Sequence, residues 1–166
     1  NPPALVAVGG PSSPLADHAG WAHAGFSRAT VVPALEGALA LLGDEETTEV
    51  RVVLCVDTAE DVEGPDRAKL LEQLVRADSV RVIAVVDPAT LGRAYSGWLS
   101  ELRRNRAVLF LQPAPKGDVD QVAGIKPALR PDQPMPPGRG VLVADRGWRL
   151  VQVAQPDGAR AGNGRD

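Results

Sequence analysis

One cysteine, one methionine, one tyrosine, two phenylalanines and three tryptophans are all that this 166-residue chain carries of the sulfur-containing and aromatic residues. A single cysteine, Cys55, excludes an internal disulfide and fits a reducing compartment such as the cytoplasm. Its place inside an apolar run reads as a small core residue, not a nucleophile. Charge of one sign is lacking too: 18 Lys and Arg against 21 Asp and Glu leave a formal net charge of -3. No whole-chain field therefore draws the protein to nucleic acid or to an anionic membrane. No apolar run approaches the roughly 20 residues that cross a bilayer, and no signal peptide is recognisable. The two histidines, His18 and His23, are five apart, whereas ligands on one helical face stand three or four apart, so no metal site is expected. The chain opens on Asn1 without a methionine, and a piece of a longer protein is expected, with any membrane segments elsewhere.

What is present is a series of strand-length apolar runs separated by helical patterns, on a length that suits one domain. Residues 4–8 (ALVAV) run straight into Gly9 and Gly10 and a Pro/Ser cluster, which predicts a buried strand ending in a loop. Residues 17–26 are Ala-rich and predict a short helix. Residues 27–32 (SRATVV) are β-branched and predict a short strand, after which Pro33 opens a helix whose Leu35, Leu39 and Leu42 share a face. Gly43 closes that helix, and the acidic residues 44–49 read as a solvated loop.

Residues 50–56 (VRVVLCV) make the strongest strand, nearly continuous in apolar character as a covered parallel strand should be, and Asp57 closes it. A helix over 66–77 follows, then a strand over 79–86 stopped by Asp87-Pro88. Leu91, Tyr95, Trp98, Leu99 and Leu102 predict one core-facing helix over 89–104. Arg103, Arg104 and Arg106 cluster at its end, where cations suit the helix dipole and also phosphate contact or an arginine-finger role. Residues 107–111 (AVLFL) read as a further buried strand. Residues 112–137 hold seven prolines and predict an irregular excursion with one helical turn near 118–122. A hairpin follows, 141–144 with 148–154 across Asp145-Arg146-Gly147, and residues 155–166 form a polar tail. Strands alternating with helices predict an α/β fold.

Five stretches in one order carry a resemblance: ALVAVGG, VVLCVDTAED, VRVIAVVD, YSGWLSELRRNRAVLFLQP and MPPGRGVLVADRGWRLVQVA. Together they resemble the last ATPase-like domain of the FtsK/SpoIIIE superfamily, in particular the multi-domain actinobacterial proteins with forkhead-associated or type VII secretion modules. The resemblance covers most of residues 4–154 and implies a three-layer RecA-like P-loop NTPase fold, mostly parallel, with an antiparallel C-terminal hairpin. It implies a domain over residues 1–154 and a tail over 155–166. It also implies a cytoplasmic face, ring-forming copies, neighbouring ATPase domains in the same chain, and movement of DNA or secreted protein by the intact motor.

Carried across, Gly9, Gly10, Ser12, Ser13, Leu15 and Ala16 stand at the phosphate loop, Asp57 at the Mg2+-organising aspartate, and Arg139 in the P-P-G-R-G stretch of residues 136–140. On the G-x-x-x-x-G-K-[ST] template Pro14 takes the second glycine, Leu15 the lysine and Ala16 the metal-binding hydroxyl. Thr58 stands where working members often carry an acidic residue, with Glu60 two positions on. A transition state stabilised by charge has little left to use, so a non-catalytic module without bound cofactor is expected. Two other readings stay open: an ATP- and Mg2+-binding domain completed by a neighbour's arginines, and a DNA contact through Arg103, Arg104 and Arg106. In the secretion branch the apolar groove beside Pro14 and Leu15 is the expected seat of a substrate's signal peptide.

Overall fold

The computed structural model describes residues 2–43, 49–104, 107–113, 117–128, 135–144 and 147–153. They fall into two compact units, Asn1–Asn105 and Arg106–Asp166, and each is taken by itself.

In the first unit four parallel strands form a sheet in the order β2-β1-β3-β4: β1 Ala4–Gly9, β2 His23–Gly25, β3 Val52–Asp57 and β4 Val80–Ala84. β1 is paired on both sides, and Val6, Ala7 and Val8 are fully buried, as the continuous apolar run of an interior parallel strand requires. Register places Val6 beside Leu54 and Val8 beside Val56. On that face pack α1 (Val31–Ala40) through Val31, Leu35 and Ala38, and α2 (Pro65–Arg76) through Leu71 and Leu74. Proline at the first position of α2 has no N–H to lose, and Arg76 in its last turn complements the helix dipole.

Three expectations fail in this unit. Residues 17–26 are not helical: a 3-10 turn, Pro14–Asp17, leads to the short strand β2. Gly20 takes a φ of +110°, outside any helix, and β2 gains backbone pairing with β1 that an isolated Ala-rich turn lacks. Residues 27–32 are not a strand. The Thr30 hydroxyl accepts from the Ser27 N–H at 3.1 Å and closes a turn from which α1 starts at Val31, a local side-chain bond that overrides β propensity. The helix over 89–104 is two helices, α3 Pro88–Gly92 and α4 Gly97–Arg104. Gly97 adopts a φ of +74° that ends helical continuity, so Tyr95, placed on the apolar stripe by spacing, sits in the intervening turn at 82% exposure.

The second unit holds α5 (Asp118–Ala123) and an antiparallel sheet in the order β5-β6-β7, made of Val108–Leu111, Arg139–Ala144 and Gly147–Gln152. The expected hairpin is β6 with β7, where Ala144 pairs with Gly147; Asp145 and Arg146 lie outside the described residues. β5 joins it as a third, antiparallel strand. Only Phe110 of β5 is buried, while Leu109 and Leu111 are exposed. This is one-sided burial in place of the covered strand expected, because an antiparallel strand need hide only one face. The loop expected at 44–49 falls, but for Glu49, outside the described residues, as does all of the tail at 155–166.

Candidate functional site

Ligand chemistry in open α/β sheets collects at the carboxyl ends of the strands, and in the first unit those ends bring Gly9, Asp57 and Asp87 to one edge. Gly9 and Asp57 are register partners. The chain then turns sharply: Thr58 lies in the left-handed region (φ 55°, ψ 79°) and leads into a 3-10 turn, Ala59–Val62. That turn aims two carboxylates. Glu60 Oε1 accepts from the Asp87 N–H at 3.0 Å, so Glu60 ties the end of β3 to the end of β4. Asp61 packs against Gly10, where any Cβ would collide with its carboxylate. Asp87 caps α3, accepting from the Ala89 and Thr90 N–H groups at 2.8 and 3.1 Å. Spacing did not reveal the Asp61–Gly10 contact, because the direction of the turn follows from the conformation of Thr58.

A phosphate loop works by leaving its backbone N–H groups free at the start of a helix. The loop after β1 is built otherwise. Ser13 N–H donates to the Gly10 carbonyl at 3.1 Å, Ala16 N–H to the Ser13 carbonyl at 3.1 Å and His18 N–H to the Leu15 carbonyl at 3.2 Å. The Ser13 hydroxyl, in a buried residue, accepts from the Leu15 N–H at 3.2 Å. Trp21 Nε1 donates to the Leu15 carbonyl at 3.0 Å. The Ser13, Leu15 and Ala16 N–H groups are thus used inside the loop, Ser12 is exposed, and the next strand is β2. At residues 9–16, expected at a degenerate phosphate-loop position, the order is strand, 3-10 turn and strand, whereas a working phosphate loop runs strand, loop and helix. With Asp61 against Gly10 the edge is anionic, and these residues do not fit a Mg–nucleotide phosphate chain.

The arginines are tied elsewhere. Arg103 Nη1 donates to the Gly92 carbonyl at 3.0 Å, clamping α4 to the end of α3. Arg104 pairs with Glu101 at 3.2 Å and is 70% exposed. Arg106 lies outside the described residues. Arg139 begins β6 in the second unit, where it is exposed and its carbonyl accepts from the Gln112 N–H at 3.1 Å. The histidines do not meet: His18 stacks edge-on to Trp21 with ring centroids 5.1 Å apart, and the His23 ring fills the space beside Gly37. Among the described residues no three His, Cys, Asp or Glu side chains are grouped to hold a metal. Burial pushes the Cys55 thiol above its ordinary pKa, which keeps it protonated and unreactive.

The first unit also contains a cavity of about 330 Å³ beyond the end of β3, the lower end of the range that holds ligands. Val62, Ala68, Trp98 and Leu99 give it apolar walls, and Glu60 and Glu63 line it too. It lies between the Ala59–Val62 turn, α2 and α4, and none of the residues 9–16 lines it. Trp98 is 8% exposed, anchored in the core and facing the cavity. Among the described residues no helix is long and apolar enough to cross a membrane.

No protein-family model matches the chain, and no curated protein does. Solved structures do. The cytoplasmic domain of EssC superposes with a TM-score of 0.69 at 14% identity, over 92% of this chain and 34% of that one. EssC ATPases 2 and 3 from Geobacillus thermodenitrificans give 0.68 at 16% identity, over 92% and 31%. This is the RecA-like fold of those ATPase domains. Thermomonospora curvata EccC, ATPases 2 and 3 in complex with a signal sequence peptide, gives 0.60 at 22% identity, over 95% and 32%. The chain spans about a third of the length of these structures. The fold implied by the FtsK/SpoIIIE resemblance is the fold observed.

Proposed function

We propose that this chain is a non-catalytic ATPase-like module of a multi-domain FtsK/SpoIIIE-type motor of the type VII secretion branch, and that it works by holding a peptide segment of a partner. The observation that carries the reading is the loop after β1, whose Ser13, Leu15 and Ala16 N–H groups bond within the loop and whose Gly10 meets the Asp61 carboxylate. A site with that chemistry repels a triphosphate and supplies few donors to a transferring phosphoryl group. No cofactor is assigned to it. The module faces the cytoplasm in a parent tethered to the membrane through other segments, beside further ATPase domains of the same chain and in ring-forming copies.

The Trp98 cavity is the seat for the peptide. Its apolar walls suit one or two large aliphatic or aromatic side chains projected by a helical turn at i and i+4, the usual way an amphipathic segment enters a groove. Burying each contributes about 1.5–3 kcal/mol, and ordering the peptide offsets part of that. A single module therefore binds weakly, at dissociation constants of roughly 0.1–1 mM. Several copies in one motor raise the effective affinity by linkage. The signal peptide present in the EccC structure is the kind of partner this geometry suits.

The test is titration of an amphipathic peptide with leucines at i and i+4, followed by Trp fluorescence and calorimetry, in the original chain, Trp98→Ala and Ala68→Trp. Saturable binding lost in both variants supports the reading. Micromolar binding of a Mg–ATP analogue, weakened by Asp57→Ala, overturns it in favour of a working ATPase.

A further inference from the structure

The residues around the Trp98 cavity are of two kinds. Val62, Ala68, Trp98 and Leu99 supply apolar surface, Glu60 and Glu63 supply carboxylates, and no Lys, Arg or His is among the residues that line it. Both glutamates come from one turn. Glu60 lies within the 3-10 turn Ala59–Val62 and Glu63 follows it directly, and side chains three apart on such a turn eclipse one another. The spacing puts both carboxylates on the cavity side.

Neither charge is neutralised within the unit. Glu60 is held through one oxygen, Oε1, which accepts from the Asp87 N–H at 3.0 Å. Among the described residues no ion pair reaches Glu60 or Glu63. Arg67, one turn beyond Glu63, directs its guanidinium at backbone, donating to the Glu63 carbonyl at 2.7 Å and to the Arg28 carbonyl at 3.5 Å. A weaker positive pole is the start of α2, since Gly64 and Pro65 also line the cavity. That pole amounts to about half an elementary charge, and Asp66 in the first turn opposes it. Two whole negative charges outweigh it, although water screens the exposed Glu63 more than the half-buried Glu60.

We propose that the cavity selects its peptide by charge: it takes a segment with Lys or Arg within one helical turn of the apolar anchors and rejects one with an acidic flank there. The proposal rests on the reading of the Trp98 cavity as the seat of a partner's peptide and names the chemistry of that peptide. A long cationic side chain suits both kinds of lining residue, because its methylene stem can lie along apolar surface while its head meets carboxylates. An acidic flank at the same place sets like charges together, and such juxtaposition rejects a partner more strongly than a matched pair adds affinity. The apolar anchors thus supply the attraction, and Glu60 and Glu63 supply the choice.

Calorimetric titration tests this with peptides that share leucines at i and i+4 and carry only Lys, only Gln or only Glu at i+1, i+3 and i+5. At about 20 mM salt the Lys peptide is expected to bind roughly tenfold more tightly than the Glu peptide, with the Gln peptide between them, and about 0.5 M salt is expected to remove most of that ratio. Glu60→Gln/Glu63→Gln keeps an acceptor for the Asp87 N–H. In that variant the ratio is expected to fall below about twofold, with affinity for the Gln peptide unchanged. Glu63→Gln alone, at an exposed side chain, is expected to lower the ratio by roughly two- to threefold, which keeps the test decisive if the double variant does not fold. Equal binding of the three peptides overturns charge selection and leaves the peptide seat standing. Capture of none of them sinks both readings. A Lys preference that persists in Glu60→Gln/Glu63→Gln, or in Trp98→Ala, places the charge recognition elsewhere on the chain and also overturns the proposal.

Discussion

Gly9 and Asp57 stand opposite one another at the ends of neighbouring parallel strands, and a Cβ on Gly9 would lie 2.9 Å from the Asp57 carbonyl oxygen. The glycine is there because two backbones approach, and no phosphate is needed to explain it. Gly9→Ala must push β1 and β3 apart, and overpacking of this kind costs about 1–3 kcal/mol. Urea unfolding is expected to show that loss in the midpoint with an unchanged slope, and a fully stable Gly9→Ala variant would contradict the contact.

A lysine in place of Leu15 is expected to create no phosphate site. Leu15 lies in a turn whose Ser13, Leu15 and Ala16 N–H groups are already bonded within the loop, so a cation at that position lacks those donors beside it. Leu15→Lys is expected to bind a Mg–ATP analogue no more tightly than about 1 mM, near -4 kcal/mol. Calorimetry showing micromolar affinity in this variant would mean that the loop opens and rebuilds.

Thr58 is a β-branched residue at φ 55°, a conformation such side chains rarely adopt. Backbone bonds on both sides hold it there, Ala59 N–H to the Val85 carbonyl and Asp61 N–H to the Thr58 carbonyl, both at 2.9 Å. The side chain is exposed and makes no cap bond. Thr58→Asn, which tolerates the left-handed region, is expected to raise stability by about 1 kcal/mol out of the 1–3 such strain costs. A thermal melt that moves downward would show that the hydroxyl has a role the geometry does not reveal.

Arg103 and Arg104 are adjacent in sequence and different in structure. The Arg103 guanidinium bonds the Gly92 carbonyl, and Arg103→Ala is expected to cost about 1–2 kcal/mol of stability. Arg104 makes an exposed pair with Glu101, worth under about 0.5 kcal/mol. Paired denaturation curves check the difference. If DNA or phosphate binding fell equally in both variants while stability did not change, these arginines would be ligand contacts and not structural ones.

The regular elements were legible where one cause dominated. The apolar runs of β1, β3 and β4 and the Leu71/Leu74 face of α2 follow from burial, which composition reports directly. The turn chemistry was legible at Asp87-Pro88 and at the Ala144–Gly147 hairpin. Residues 17–32 were misread because the short strand β2 exists only through pairing with β1, and the Ser27–Thr30 turn through a side-chain bond that competes with β propensity. The 89–104 pattern hid its break because Gly97 lies in mid-pattern, and a glycine there does not announce its sign of φ.

The sequence by itself determined that this protein has an α/β core, that its single cysteine forms no internal disulfide, and that Leu15 and not a lysine follows the Pro/Ser cluster after β1. These follow from residue type, which acts the same in any conformation. Only the tertiary structure decided that the Ser13, Leu15 and Ala16 N–H groups bond within the loop after β1, that Asp61 lies against Gly10, and that Trp98 lines a cavity. Each of these depends on the direction in which a turn leaves a strand. That direction is settled by a handful of backbone bonds between residues distant in sequence, such as Ala59 with Val85, whose partners cannot be read from either stretch alone.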